Sequence, residues 1–170
     1  MLKLVQIANY AQTGSNTQGV SYLIVDDKDV LKKASDLTVD YLENSPSIRP
    51  TLRKILGPLI EKYHETGEDS VLRGAPAIVV ATSAKNFVQG RINSISCLTY
   101  LELFAPHIDL GSCGVGLFEH CATSENSPML KLLDIPEDRL ITGAVMVGYP
   151  KYQYQRLVER NPVDVEFYSD

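Results

Sequence analysis

The sequence predicts a domain of the α+β or α/β class, with one mixed β-sheet covered by helices. Three observations carry this reading. Short β-branched runs at residues 20–25, 77–81 and 140–147 alternate with segments whose apolar residues recur at helical spacing. The run Ala77-Ile78-Val79-Val80-Ala81 is continuously apolar, as a strand covered on both faces must be. From Ile92 to Ala105, apolar residues cover most of a helix's circumference. Such a helix is buried, either centrally or in an interface.

Taken in order, Leu2, Val5, Ile7 and Ala8 form a loose helical stripe, which stops in the loop formers of residues 12–19. The run VSYLIV reads as a strand bounded by Gly19 and Asp26-Asp27. Asp27 can cap a following helix whose apolar side is Leu31, Ala34, Leu37, Val39 and Leu42. A second helix from about Pro50 to His64 carries Leu52, Ile55, Leu56, Leu59 and Ile60, and Thr66-Gly67-Glu68-Asp69 breaks it. After the strand at 77–81 and the long apolar helix, residues 110–118 read as one glycine-punctuated β-like segment. Asn126 to Leu133 reads as a short helix, residues 140–147 as a strand, and VDVEFY (163–168) as a strand-like tail. With no internal repeat, low-complexity tract or linker, the expectation is one domain over residues 1–170.

Composition narrows the class of function. The 170 residues carry 16 Lys and Arg against 21 Asp and Glu, a net charge of −5 with the basic residues scattered. No nucleic-acid or anionic-membrane partner is expected from such a surface. Three cysteines, at 97, 113 and 121, do not read as a disulfide framework. Without a signal-peptide pattern or an apolar run long enough to span a bilayer, a cytoplasmic location is expected.

Three segments are candidates for chemistry, each with a plainer alternative. Thr13-Gly14-Ser15-Asn16-Thr17-Gln18 is rich in hydroxyls and amides that can surround a heteroaromatic edge, and Gly14 allows close backbone approach. The same hexapeptide also reads as a helix C-cap and turn. Gly111-Ser112-Cys113-Gly114-Val115-Gly116 exposes backbone N–H groups to a bulky neighbour, or is a bulged strand. It is no dinucleotide fingerprint, since no phosphate-binding helix start follows in register. Lys151, Arg156 and Arg160 offer donors for a phosphate, or are solvated surface. Cys113, His120 and Cys121 lack metal-ligand spacing, and core packing is expected for Cys97 and Cys113. His64 and His107 read as helix-end residues. No nucleophile–base arrangement supports a hydrolase.

Taken in order, these segments resemble the nitroreductase family of FMN-dependent oxidoreductases. The resemblance is to the branch that includes members fused to a ferredoxin-like domain. It rests on Arg73-Gly74-Ala75-Pro76, on Leu101-Glu102-Leu103-Phe104-Ala105-Pro106, on Leu110-Gly111-Ser112-Cys113-Gly114 and on Gly148-Tyr149-Pro150-Lys151-Tyr152. The family's early "APTGxNxQP" loop appears as residues 11–19, and the matches run in register from about residue 2 to residue 162.

The resemblance implies an α+β, dimeric, nitroreductase-like fold whose central dimer helix is the long apolar one. It implies that Gln12, Thr13, Gly14, Ser15 and Asn16 reach the flavin of the other subunit. Cys113, Gly114, Val115 and Gly116 would lie along the chain's own isoalloxazine, and Arg160 would help hold the phosphate. It implies FMN as cofactor, NAD(P)H as donor, and a small nitroaromatic, quinone or similar molecule as electron acceptor. No side chain is assigned as a catalytic acid or base, because the flavin carries the redox chemistry.

Three departures from the family pattern stand out. An "RRSxR"-like stretch that grips FMN phosphate is missing before Gln12, which is expected to weaken binding by roughly a hundredfold. Gln12 and Gly19 replace prolines, and Gly114 replaces an aromatic, opening space beside the ring. The alternative reading is a degenerate member, a weakly flavin-binding or non-catalytic dimeric protein.

Overall fold

The computed structural model describes residues 1–152, 155–156 and 158–168. Helices α1 (Leu2–Ala8), α2 (Lys28–Asn44), α3 (Pro50–Thr66), α4 (Gly90–Phe104), α5 (Gly116–Ala122) and α6 (Pro128–Leu132) surround a sheet. Its strands are β1 (Ser21–Val25), β2 (Ala77–Ala84), β3 (Gly111–Gly114) and β4 (Arg139–Gly148), in the spatial order β1-β2-β4-β3.

The helix boundaries follow local chemistry. Asp27 caps α2, its carboxylate accepting from the N–H groups of Asp29 and Val30 at 2.9 Å. Gly67, left-handed at φ 69°, ends α3. The Ser127 hydroxyl accepts from Met129 N–H at the start of α6.

The sheet is the middle layer, and β2 shows why its sequence lacks alternation. Ile78 and Val80 enter one core with α2, α3, α5 and α6, around the fully buried Phe118, Leu42 and Leu72. Val79 and Ala81 enter the other, with Leu4 and Ala8 of α1 and Cys97, Leu98 and Leu101 of α4. A strand covered on both faces reads as a continuous apolar run.

The expected mix of strand directions is not found among the described residues, where every pairing is antiparallel. The reason is topological. Two helices join β1 to β2 and return the chain to the end it left, so β2 runs back along β1. β2 and β3, joined through α4, do point the same way, but β4 inserts between them. The expected tail strand is likewise not formed. Val163, Val165 and Phe167 are exposed, and the described tail residues pair with no strand. The stretch from 110 to 118 is not one β segment either: α5 begins at Gly116.

The β2–β4 ladder shifts register at Ala81/Thr82, leaving Thr142 as the extra residue. Three side chains hold this bulge. Ser94 Oγ and Thr142 Oγ1 share a buried hydrogen bond of 2.7 Å. The Arg91 guanidinium donates to Thr142 O at 2.6 Å and to Glu119 at 2.7 Å. The other Glu119 oxygen accepts the Ala144 N–H at 2.8 Å. A carboxylate from α5 thus serves as partner for a strand N–H just past the end of β3.

Candidate functional site

The loop between α1 and β1 has an unusual backbone. Ser15, Asn16 and Gln18 are left-handed at φ 51°, 53° and 54°, and Gly19 follows at 71°. Left-handed residues other than glycine each cost on the order of 1 kcal/mol and persist only where surroundings dictate them. Gly19 has a second constraint, because a Cβ there would come within 2.6 Å of the Phe87 ring.

Hydrogen bonds fix this conformation. Thr17 Oγ1 donates to Gly14 O (2.7 Å), and Gln18 N–H donates to Thr13 Oγ1 (2.9 Å). Asn93 of α4 makes three more bonds to the loop. Gln12, Ser15 and Asn16 are exposed, Thr13 is half-buried, and none of these bonds engages the side chain of Ser15 or Asn16.

The glycine segment lies at the opposite edge of the sheet from β1. Among the described residues β3 pairs only with β4, from Gly111 opposite Gly148 to Gly114 opposite Val145, so its outer backbone groups face away from the ladder. Val115, 2% exposed, anchors the turn into α5, while Cys113, Gly114 and Gly116 are open. A Cβ built on Gly114 or on Gly116 would meet no heavy atom within 4 Å. Beside this face is a cavity of about 230 Å³ lined by Ala75, Cys113, Met146, Gly148 and Tyr149. A second, of about 600 Å³, shares Gly111, Tyr149 and Pro150 with it and adds Leu110 and Tyr152. The expectation of a core position for Cys113 is therefore wrong. Cys97 is 3% exposed, but Cys113 lies on an exposed edge strand.

Neither cavity at the glycine segment is lined by any of Gln12, Thr13, Gly14, Ser15 and Asn16. Arg160 is exposed in the tail and lines neither cavity. Within one chain the structure groups Cys113, Gly114, Val115 and Gly116, groups residues 12–16 separately, and joins Arg160 to neither.

Sequence reasoning missed Arg91, Asn93 and Glu119, which support these segments from below. Their signal was available for Asn93. It falls on the stripe of Gly90, Asn93, Ser94, Cys97, Leu98 and Leu101, a helical face that packs inward, where a polar side chain needs a partner.

The family assignment follows from a comparison of the whole chain. The family model described as "Nitroreductase family" matches residues 1–149. The chain belongs to the nitroreductase family. It is thereby placed among oxidoreductases. No curated protein sequence matches it significantly. Among solved structures, it resembles a Bacteroides fragilis nitroreductase with bound FMN at 16% identity and TM-score 0.70, covering 95% of this chain and 83% of that one. An FMN-dependent nitroreductase from Clostridium difficile is similar at 18% identity and TM-score 0.69, with 96% and 86% covered. An iodotyrosine deiodinase bound to FMN and 3-iodo-L-tyrosine is similar at 22% identity and TM-score 0.59, again with 96% and 86% covered. At these identities the likeness shows the nitroreductase fold. No helix among the described residues is long and apolar enough to cross a membrane.

One titration belongs to this region. Burial, reinforced by the charge of Glu119, pushes the Glu102 carboxyl above its usual range. A carboxyl raised on folding adds stability below its unfolded value, about pH 4.3, and that contribution is lost as pH rises through the folded value. Glu102→Gln is therefore expected to melt above the unchanged protein near pH 7, with the gap closing towards pH 4. Thermal denaturation across that range checks the sign.

Proposed function

We propose that this nitroreductase-family chain is an FMN-dependent oxidoreductase that works as a homodimer, passing electrons from NAD(P)H to a nitroaromatic, quinone or similar small acceptor. The observation that carries the reading is the open glycine face. A flat ring needs a backbone surface without side chains, and Gly114 and Gly116 provide one, directly after Cys113, which lines a cavity together with Gly148 and Tyr149. FMN, when bound, supplies the hydride and electron transfer.

In this reading the chain's own residues bind and orient. Cys113, Gly114, Val115 and Gly116 lie along the ring edge; Gly114 and Gly116 offer it their backbone N–H groups, while Val115 N–H donates to Ala144 O (3.5 Å) and holds the segment to β4. The Val115 side chain, buried beneath, fixes the turn that aims them. Arg160 of the tail supplies a bidentate donor for the phosphate. Residues 12–16 of the second protomer complete the site, consistent with their absence from the cavities of their own chain. An exposed apolar stripe on α4 supports the dimer. Ile92, Ile95 and Leu103 are 67%, 50% and 75% exposed, on the side opposite Cys97 and Leu101.

The test is steady-state oxidation of NADH and of NADPH with a quinone and with a nitroaromatic as acceptor, in the presence of added FMN. Turnover well above that of free FMN is expected with at least one donor. Rates equal to free FMN for every donor–acceptor pair would overturn the enzymatic reading.

A further inference from the structure

Asn93 is a polar residue in a place built for an apolar one. It lies on the inward stripe of α4 with 1% of its surface exposed, between the buried Gly90 and Cys97. A primary amide offers two donors and one acceptor oxygen. All three bonds it makes go to the loop before β1, a segment 75–79 residues away in sequence. Its Oδ1 accepts Gly14 N–H at 3.4 Å, and its Nδ2 donates to Thr17 Oγ1 at 3.2 Å and to Gln18 O at 3.0 Å.

These three contacts bracket the strained part of the loop. Ser15 and Asn16, both left-handed, lie between the tied residues Gly14 and Thr17, and Gln18 is itself tied by its carbonyl. The Thr17 hydroxyl relays the hold, accepting from Asn93 while donating to Gly14 O. What is held is the backbone. The Ser15 and Asn16 side chains point into solvent, free of the network. Strain held against relaxation by one buried side chain, with two free polar side chains at its apex, is the pattern of a preorganised contact surface.

We propose that Asn93 is a positioning residue for flavin binding: its buried amide sets the left-handed backbone of residues 14–18 so that Ser15 and Asn16 are presented to the flavin edge. This rests on the reading that the loop meets a flavin. Asn93 itself touches no ligand and acts only through the loop. It stands one residue after Ile92 and two before Ile95, so the same helix that carries the exposed dimer stripe also fixes the loop that would cross it.

The experiment compares Asn93→Ala and Asn93→Asp with Ser94→Ala, whose neighbouring buried hydroxyl serves the β4 bulge and not the loop. Two readouts are taken on each. Amide hydrogen exchange without flavin is expected to speed up about tenfold or more at residues 14–18 in both Asn93 variants, and to leave that loop unchanged in Ser94→Ala. FMN affinity, read by quenching of flavin fluorescence, is expected to fall about tenfold or more in the Asn93 variants and less than about twofold in Ser94→Ala, even where all three melt at lower temperature. Asn93→Asp retains the acceptor for Gly14 N–H and loses both donated bonds, so an equal defect there locates the effect in the Thr17 and Gln18 ties. Unchanged exchange in the loop, or faster exchange with unchanged FMN affinity, would overturn the proposal. If the unchanged protein takes up no FMN, it is the functional reading that has failed. The exchange arm then still decides whether Asn93 sets the loop.

Discussion

Glutamate at Ile95 and Leu103 together is expected to convert the protein to a folded monomer that has lost its affinity for flavin. Both side chains are at least half exposed, together with Ile92, on one stripe of α4. The polar residues within that stripe do not make it hydrophilic. Ser96 and Thr99 turn their hydroxyls back onto the carbonyls of Ile92 and Ile95, at 3.3 and 2.8 Å. In a two-fold dimer each side chain is buried twice, and full burial of an Ile or Leu contributes about 1.5–3 kcal/mol. Carboxylates in their place would be buried against their own symmetry mates without partners, which costs several kcal/mol more. The core face of the helix is untouched, so far-ultraviolet circular dichroism should not change. Sedimentation velocity checks the mass, and a variant that still sediments as a dimer would place the interface elsewhere.

Glu119→Leu carries the second large effect, on stability. It orphans the Ala144 N–H, on a residue 1% exposed, and it frees the Arg91 guanidinium that also holds the Thr142 carbonyl of the bulge. The ion pair contributes little, since the Arg91 side chain is 48% exposed. The unsatisfied backbone donor and the loosened bulge decide the outcome, at about 2–4 kcal/mol. For a domain of this size that lowers Tm by roughly 5–15 °C. Glu119→Gln keeps an acceptor for Ala144 N–H and should lose less than half as much. Calorimetry distinguishes the two. Equal small losses would mean that the bulge does not depend on this carboxylate.

Elements whose burial is decided by their own pattern were legible in the sequence. The apolar run of β2, the stripe of α2 behind its Asp27 cap and the Gly67 stop of α3 all stand as read. What was hidden depends on distant partners. α5 was masked by Gly114 and Gly116, which look like strand punctuation until Val115 and Phe118 are seen packing into the core. Cys113 was assigned to the core by its residue type, but a strand at the edge of the sheet leaves it exposed. The alternation in VDVEFY promises a strand, yet the described residues offer it no partner. For the candidate site, both segments were singled out by their glycines and amides, and their role remains the proposal made above. The groups that hold them in place, Asn93 and the Arg91–Glu119 pair, act across 25 to 79 residues of sequence, and no local spacing displays that.

FMN titration of the purified protein, followed in the visible spectrum and by flavin fluorescence, bears most directly on the proposed flavin site. Saturation at one FMN per chain is expected, with a perturbed flavin band and quenched emission. An unperturbed spectrum and full flavin fluorescence at excess FMN would contradict it.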